Sequence, residues 1–96
     1  MNGRDLMALA TDFQQQGDIQ SAVRMWEKVT QVNDPSFVGA AHLNLFNVLR
    51  SQNNLRGALQ KANDFLDSPV TGRTLELVPQ IKAQVDEIER QLGIKK

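Results

Sequence analysis

Large apolar residues return along this chain every three or four positions rather than every second one. Leu6, Leu9, Ala10 and Phe13 form one such series, and Ile19, Ala22, Val23, Trp26 and Val29 form the next. The spacing i, i+3, i+4, i+7 lines one face of an α-helix. Phe37, Val38, Ala41, Leu45, Val48 and Leu49 predict a third helix, and Leu55, Ala58, Leu59, Ala62, Phe65 and Leu66 a fourth. The last seam, Val78, Ile81, Val85, Ile88 and Leu92, advances by alternate threes and fours and predicts a helix over about 74–92. Its Pro79 must lie in the first turn or bend the helix.

The residues between these series are helix punctuation. Asp18, after Gly17, is a natural N-cap for the second helix. In Asn33-Asp34-Pro35-Ser36, either Asp34 or Ser36 can cap the third helix, with Pro35 suited to a first turn. Asn53-Asn54 suits a left-handed helix terminus, Asp67-Ser68-Pro69 ends the fourth helix, and Gly93 ends the fifth. Residues 70–73, with Gly72, read as a short permissive linker. Tyrosine is absent and β-branched residues do not alternate, so strand signals are poor. The expected class is all-α with five helices.

The punctuation repeats. A shift of 36 residues lays Gly17-Asp18-Ile19 on Asn53-Asn54-Leu55, Leu9 on Leu45, Gln16 on Gln52 and Ala22 on Ala58. Phe13 meets Leu49, Val23 meets Leu59 and Val29 meets Phe65. The small alanine, the turn and the large apolar positions thus keep one phase across a full helical pair. A further shift of the same size puts Ile81 and Val85 in phase with Leu45 and Leu49.

This pattern resembles the tetratricopeptide repeat, a helix–turn–helix unit of about 34 residues. Leu6, Leu9, Ala10 and Phe13 match the first helix of that unit, and Gly17-Asp18, Ala22 and Trp26 match its turn and second helix. Leu45, Phe46, Leu49, Asn53-Asn54, Ala58 and Phe65 form the second copy. The chain departs from the pattern at Ala62, where an aromatic is usual, and at His42, where an apolar residue is usual. The proline signal is displaced in both units, and the period is slightly long. The resemblance implies a right-handed α-solenoid in a single domain over residues 1–96. Repeat one spans about 4–33, repeat two about 36–69, and a capping helix about 74–92. Such units bury their faces only by stacking. Ala22 and Ala58 then let the two helices of each unit approach closely, while Trp26 and Phe46 fill the space between units.

Composition narrows the function. The chain has 96 residues, enough for one small domain, with 11 basic and 11 acidic side chains. A neutral chain lacks the cationic field of a nucleic-acid reader. There is no cysteine and one histidine, which rules out thiolate metal sites and leaves no material for a zinc site. No Gly-rich phosphate loop and no nucleophile–base arrangement is recognisable, so no catalysis and no cofactor are expected. His42 reads as a partly buried or surface helix residue, and Asp86, Glu87 and Glu89 as a solvated face on which Asp86 can pair with Arg90. No apolar run approaches the roughly 18 residues of a membrane span, and no signal peptide is recognisable. A cytoplasmic protein without membrane insertion is the expectation.

The resemblance also implies a binding site. In this family the first helices of the units line a concave groove that holds a peptide or helix of another protein. The groove positions are Arg4, Met7, Ala8, Thr11 and Gln15 on the first helix, and Ala40, Leu43, Asn44, Asn47 and Arg50 on the third. Arg4, Met7, Thr11, Leu43, Asn44, Asn47 and Arg50 are the candidate contacts. A carboxamide both donates and accepts, so Asn44 and Asn47 can clamp a peptide backbone. Arg50 can hold a carboxylate. Some members grip acidic chaperone tails with a basic clamp. Met7 stands where that clamp needs lysine, Glu76 and Gln80 stand where it needs basic residues, and only Asn44 fits. That partner is not expected. The expected function is a protein-binding adaptor or scaffold. The alternative is a self-assembling protein that homo-oligomerises through its repeat ends or last helix.

Overall fold

The computed structural model describes residues 2–32, 34, 36–68 and 72–94. All regular structure among these is helical. The elements run α1 (Gly3–Gln15), α2 (Ile19–Val32), α3 (Val38–Ser51), α4 (Leu55–Asp67), a 3-10 helix (Gly72–Leu77) and α5 (Val78–Leu92). No helix among the described residues is long and apolar enough to cross a membrane.

Local chemistry sets most of the boundaries. Asn2 caps α1, its Oδ1 accepting from the Asp5 amide at 2.9 Å. Asp18 caps α2, accepting from the Ser21 amide and, at 2.7 Å, from the Ser21 hydroxyl. Asn54 caps α4 through the Gly57 amide. Three helices end in the same left-handed turn. Gly17, Asn53 and Gly93 have φ of 81°, 60° and 73°. Each is followed by a residue whose amide reaches back five positions: Asp18 to Phe13, Asn54 to Leu49, and Ile94 to Glu89. Asn53 is the only non-glycine with positive φ among the described residues, and asparagine is among the few that tolerate it.

Two boundaries differ from the sequence expectation. The N-cap of α3 is Phe37, with no side-chain hydrogen bond. Asp34 instead closes the preceding turn, its carboxylate accepting from the Ser36 amide and its carbonyl from the Phe37 and Val38 amides. At the other end, the α-helix expected from about residue 74 begins only at Val78, with Pro79 in its first turn. An α-helix running back through 74–77 would need a hydrogen bond from the missing Pro79 N–H to Leu75, and its ring would press on that carbonyl. The chain takes the tighter 3-10 form there instead. Pro35, Pro69 and positions 70–71 of the expected linker lie outside the described residues.

Consecutive helices pack on one another: α1 on α2, α2 on α3, α3 on α4 and α4 on α5. This makes a body of 40 × 28 × 19 Å with two apolar clusters. The first joins Leu6 and Ala10 of α1, Ala22, Trp26 and Val29 of α2, and Ala41, Leu45 and Val48 of α3. The second joins Phe46 of α3, Ala58, Ala62 and Phe65 of α4, and Ile81, Val85 and Ile88 of α5. Helix α3 serves both clusters from different faces. The seam of α5 is thereby buried against the second cluster within the chain. Each cluster contains residues 36 positions from counterparts in the other: Ala10 and Phe46, Ala22 and Ala58, Trp26 and Ala62, Val29 and Phe65, Leu45 and Ile81. Phe46 and Trp26 thus belong each to one cluster.

Candidate functional site

Three polar residues of α3 line a cleft of about 370 Å³ bordered by the end of α1 and the start of α2. Asn44, Asn47 and Ser51 come from α3, Gln14 from α1 and Gln52 from the following turn, with Ile19 and Val48 as apolar floor. No lining residue is ionisable. One helical turn separates Asn44, Asn47 and Ser51, so the three project toward the same side of α3. Gln14 reaches them because the left-handed turn at Gly17 folds α2 back and leaves the last turn of α1 beside α3.

A second cleft of about 350 Å³ lies between the end of α3 and α5. It is lined by Arg50, Asn53, Leu55, Gln84, Glu87, Ile88 and Gln91. Subtracting 36 converts five of these into residues of the first cleft: Arg50 into Gln14, Leu55 into Ile19, Gln84 into Val48, Glu87 into Ser51 and Ile88 into Gln52. The same concavity therefore occurs twice, uncharged in the first copy and charged in the second. In the second, the Arg50 guanidinium donates to Gln84 Oε1 at 2.7 Å and stands 5.4 Å from the Phe46 ring centre. Its bonding partner is neutral, so its charge is not cancelled there, and the ring face holds the side chain in place. Glu87 is engaged by Arg90 at 2.8 Å and by Gln91. The sequence-based pairing of Arg90 was with Asp86. The helix instead brings Glu87, three positions before Arg90, to it.

No significant match to the chain exists among protein-family models, curated proteins or solved structures. The functional reading therefore rests on the chain's own geometry.

The seven candidate contacts are not all in one place. Asn44 and Asn47 share the first cleft, and Arg50 lines the second. Arg4, Met7, Thr11 and Leu43 line neither. Met7 is half-buried and packs on the first core, and Leu43 is half-buried on the second. The Thr11 hydroxyl donates to the Met7 carbonyl at 3.0 Å, and Arg4 is exposed. Gln14, Ser51 and Gln52 in the first cleft, and Gln84, Glu87 and Gln91 in the second, were missed by sequence reasoning. The 36-residue shift held the signal. Applied to polar residues as well as apolar ones, it aligns Gln14 with Arg50 and Ser51 with Glu87.

An ion pair links α2 to α4. Lys61 of α4 meets Glu27 of α2 at 3.1 Å, the lysine side chain only 19% exposed. Both this pair and the Arg50–Gln84 bond join residues 34 positions apart. They tie alternate helices, α2 to α4 and α3 to α5. Between α2 and α3 lies a cleft of about 400 Å³ floored by Ile19, Val23, Leu45, Val48 and Leu49.

Proposed function

We propose that this chain is a protein-binding module built as two stacked tetratricopeptide-like hairpins and a capping helix. It holds an extended segment of another protein along the two clefts, one beside α1 and α3 and the other beside α3 and α5. The observation that carries the reading is the recurrence of one cleft, 36 residues on, along successive helices. A repeated concavity suits a ligand that is itself periodic, and an extended chain presents its backbone groups at such regular intervals. The first cleft offers carboxamides and a hydroxyl, each able to donate and accept, to a backbone that does the same. The second offers Arg50, whose guanidinium has room for a carboxylate or a carbonyl.

The test is affinity capture from lysate of the source cell with the wild type beside an Asn44→Ala/Asn47→Ala double variant. Both positions contribute nothing to either core, so the variant is expected to keep its circular-dichroism spectrum and thermal midpoint. Expected is a partner identified by mass spectrometry that the variant loses. Capture unaltered in the variant would move the site off this cleft. Capture of the chain's own copies alone, equal in both forms, would favour self-assembly through the ends of the array.

A further inference from the structure

His42 is the sole imidazole of the chain. It stands 36 residues after Leu6, a core residue of the first hairpin. In the second hairpin this inward position therefore holds a titratable group. His42 is half-buried, and its Nδ1 is closed off from solvent without a hydrogen-bond partner. The groups facing it come from both helices packed on α3: Glu27 from α2, and Lys61 and Asp64 from α4. Helix α3 brings no charged side chain within a turn of His42 on either side. Glu27 and Lys61 are bound to each other at 3.1 Å.

We propose that His42 is a proton-sensitive latch at the joint between the two hairpins. Neutral, it lets α3 pack between α2 and α4. Protonated, it loosens that packing. The imidazolium donates from both nitrogens, and Nδ1 faces no acceptor. The added charge also sits near the Lys61 ammonium, while the nearby Glu27 carboxylate is already engaged. Asp64 is the remaining acid that favours the charged form. The balance goes against the charge. Burial, the largest influence, depresses the His42 pKa from its ordinary 6.5, Asp64 and Glu27 oppose the shift, and Lys61 adds to it. The unfolded chain then binds the proton more readily than the folded one. Stability is complete above the ordinary histidine range and declines as pH falls through the folded value.

A single histidine makes the test direct. The imidazole Cε1–H resonance is followed by NMR against pH in the wild type, which needs no variant. Thermal midpoints are measured for wild type and His42→Leu, the residue that the first hairpin uses at this position, between about pH 7.5 and about pH 5.5. Expected are a titration below 6.5 and a midpoint that falls with acidification in the wild type but less in His42→Leu. Amide protection factors should drop in α3 and α4 before α1. An imidazole titrating at or above 6.5, an equal acid decline in both proteins, or an equal early loss of protection in α1 would overturn the proposal.

Discussion

Asp18 does two jobs with one carboxylate. It closes the left-handed turn after α1 through its amide and caps α2 through its side chain. The hydroxyl and amide of Ser21 stabilise its charged form and hold its pKa below the ordinary carboxylate value of 3.8, with some help from Arg24 and against slight desolvation. A depressed carboxylate contributes stability above its unfolded pKa, and the contribution is lost as pH falls through the folded value. Asp18→Ala is therefore expected to lower the thermal midpoint near neutral pH, and the gap from wild type should narrow as pH falls below the ordinary carboxylate value of 3.8, read by circular dichroism. Trp26 shows the opposite situation. Its ring is wholly buried, yet its indole N–H finds no acceptor. An unpaired buried donor costs on the order of 1–3 kcal/mol, which the packing of the large ring must outweigh. Trp26→Phe removes that donor along with part of the ring and should destabilise less than Phe65→Leu, measured by urea denaturation with circular-dichroism detection.

At the scale of elements, each hairpin closes on a wholly buried alanine of its second helix, Ala22 in α2 and Ala58 in α4. A larger side chain has nowhere to go. Ala58→Leu is expected to cost roughly 1–3 kcal/mol by overpacking, seen as a lower denaturant midpoint with an unchanged slope. The two hairpins also divide volume differently. The first sets small Ala10 on α1 with large Trp26 on α2, and the second sets large Phe46 on α3 with small Ala62 on α4. If the 36-residue equivalence is physical, the pairs exchange as units. Ala62→Trp alone should cost roughly 1–3 kcal/mol, and Phe46→Ala alone about 3–5 kcal/mol. The double variant should cost less than their sum, and a strictly additive double variant would refute the equivalence.

For the whole molecule, the decisive feature is that α3 contributes to both apolar clusters. Neither cluster can be dismantled without baring one face of α3, so the global transition should take both hairpins together, while local opening of α3 and α4 on acidification precedes it. Trp26, the only tryptophan, reports on the first cluster. Phe65→Ala lies in the second and is expected to destabilise by about 3–5 kcal/mol. It should move the Trp26 fluorescence transition and the far-ultraviolet circular-dichroism transition by the same amount. Fluorescence left at its wild-type midpoint would mean that the hairpins fold separately, as weakly coupled repeats do. The Lys61–Glu27 pair adds a lateral link between α2 and α4. With Glu27 partly exposed, its worth is on the order of the 0–1 kcal/mol of a surface pair, so the shared α3 core outweighs it in holding the hairpins together.

By itself the amino-acid order determined the all-helical class, the succession of helices, the turns at Gly17, Asn53 and Gly93, and the alanines at Ala22 and Ala58. These depend on interactions within about one helical turn, or on the apolar period that any helix must bury. Even there, the missing amide of Pro79 set the start of α5 at Val78, the first residue of its seam, rather than at about residue 74. The tertiary structure alone decided which polar side chains meet. Gln14 joins Asn44 and Asn47 only because α2 turns back and seats α3 beside the end of α1. Arg50 is held by Gln84 and the Phe46 ring because α5 packs where it does. Met7 and Leu43, placed by phase in an open groove, turn half into the cores. A helix's phase sets the direction of a side chain from its own axis. Where the neighbouring axis lies, and so which side chains it covers, is set by packing between residues far apart in the chain.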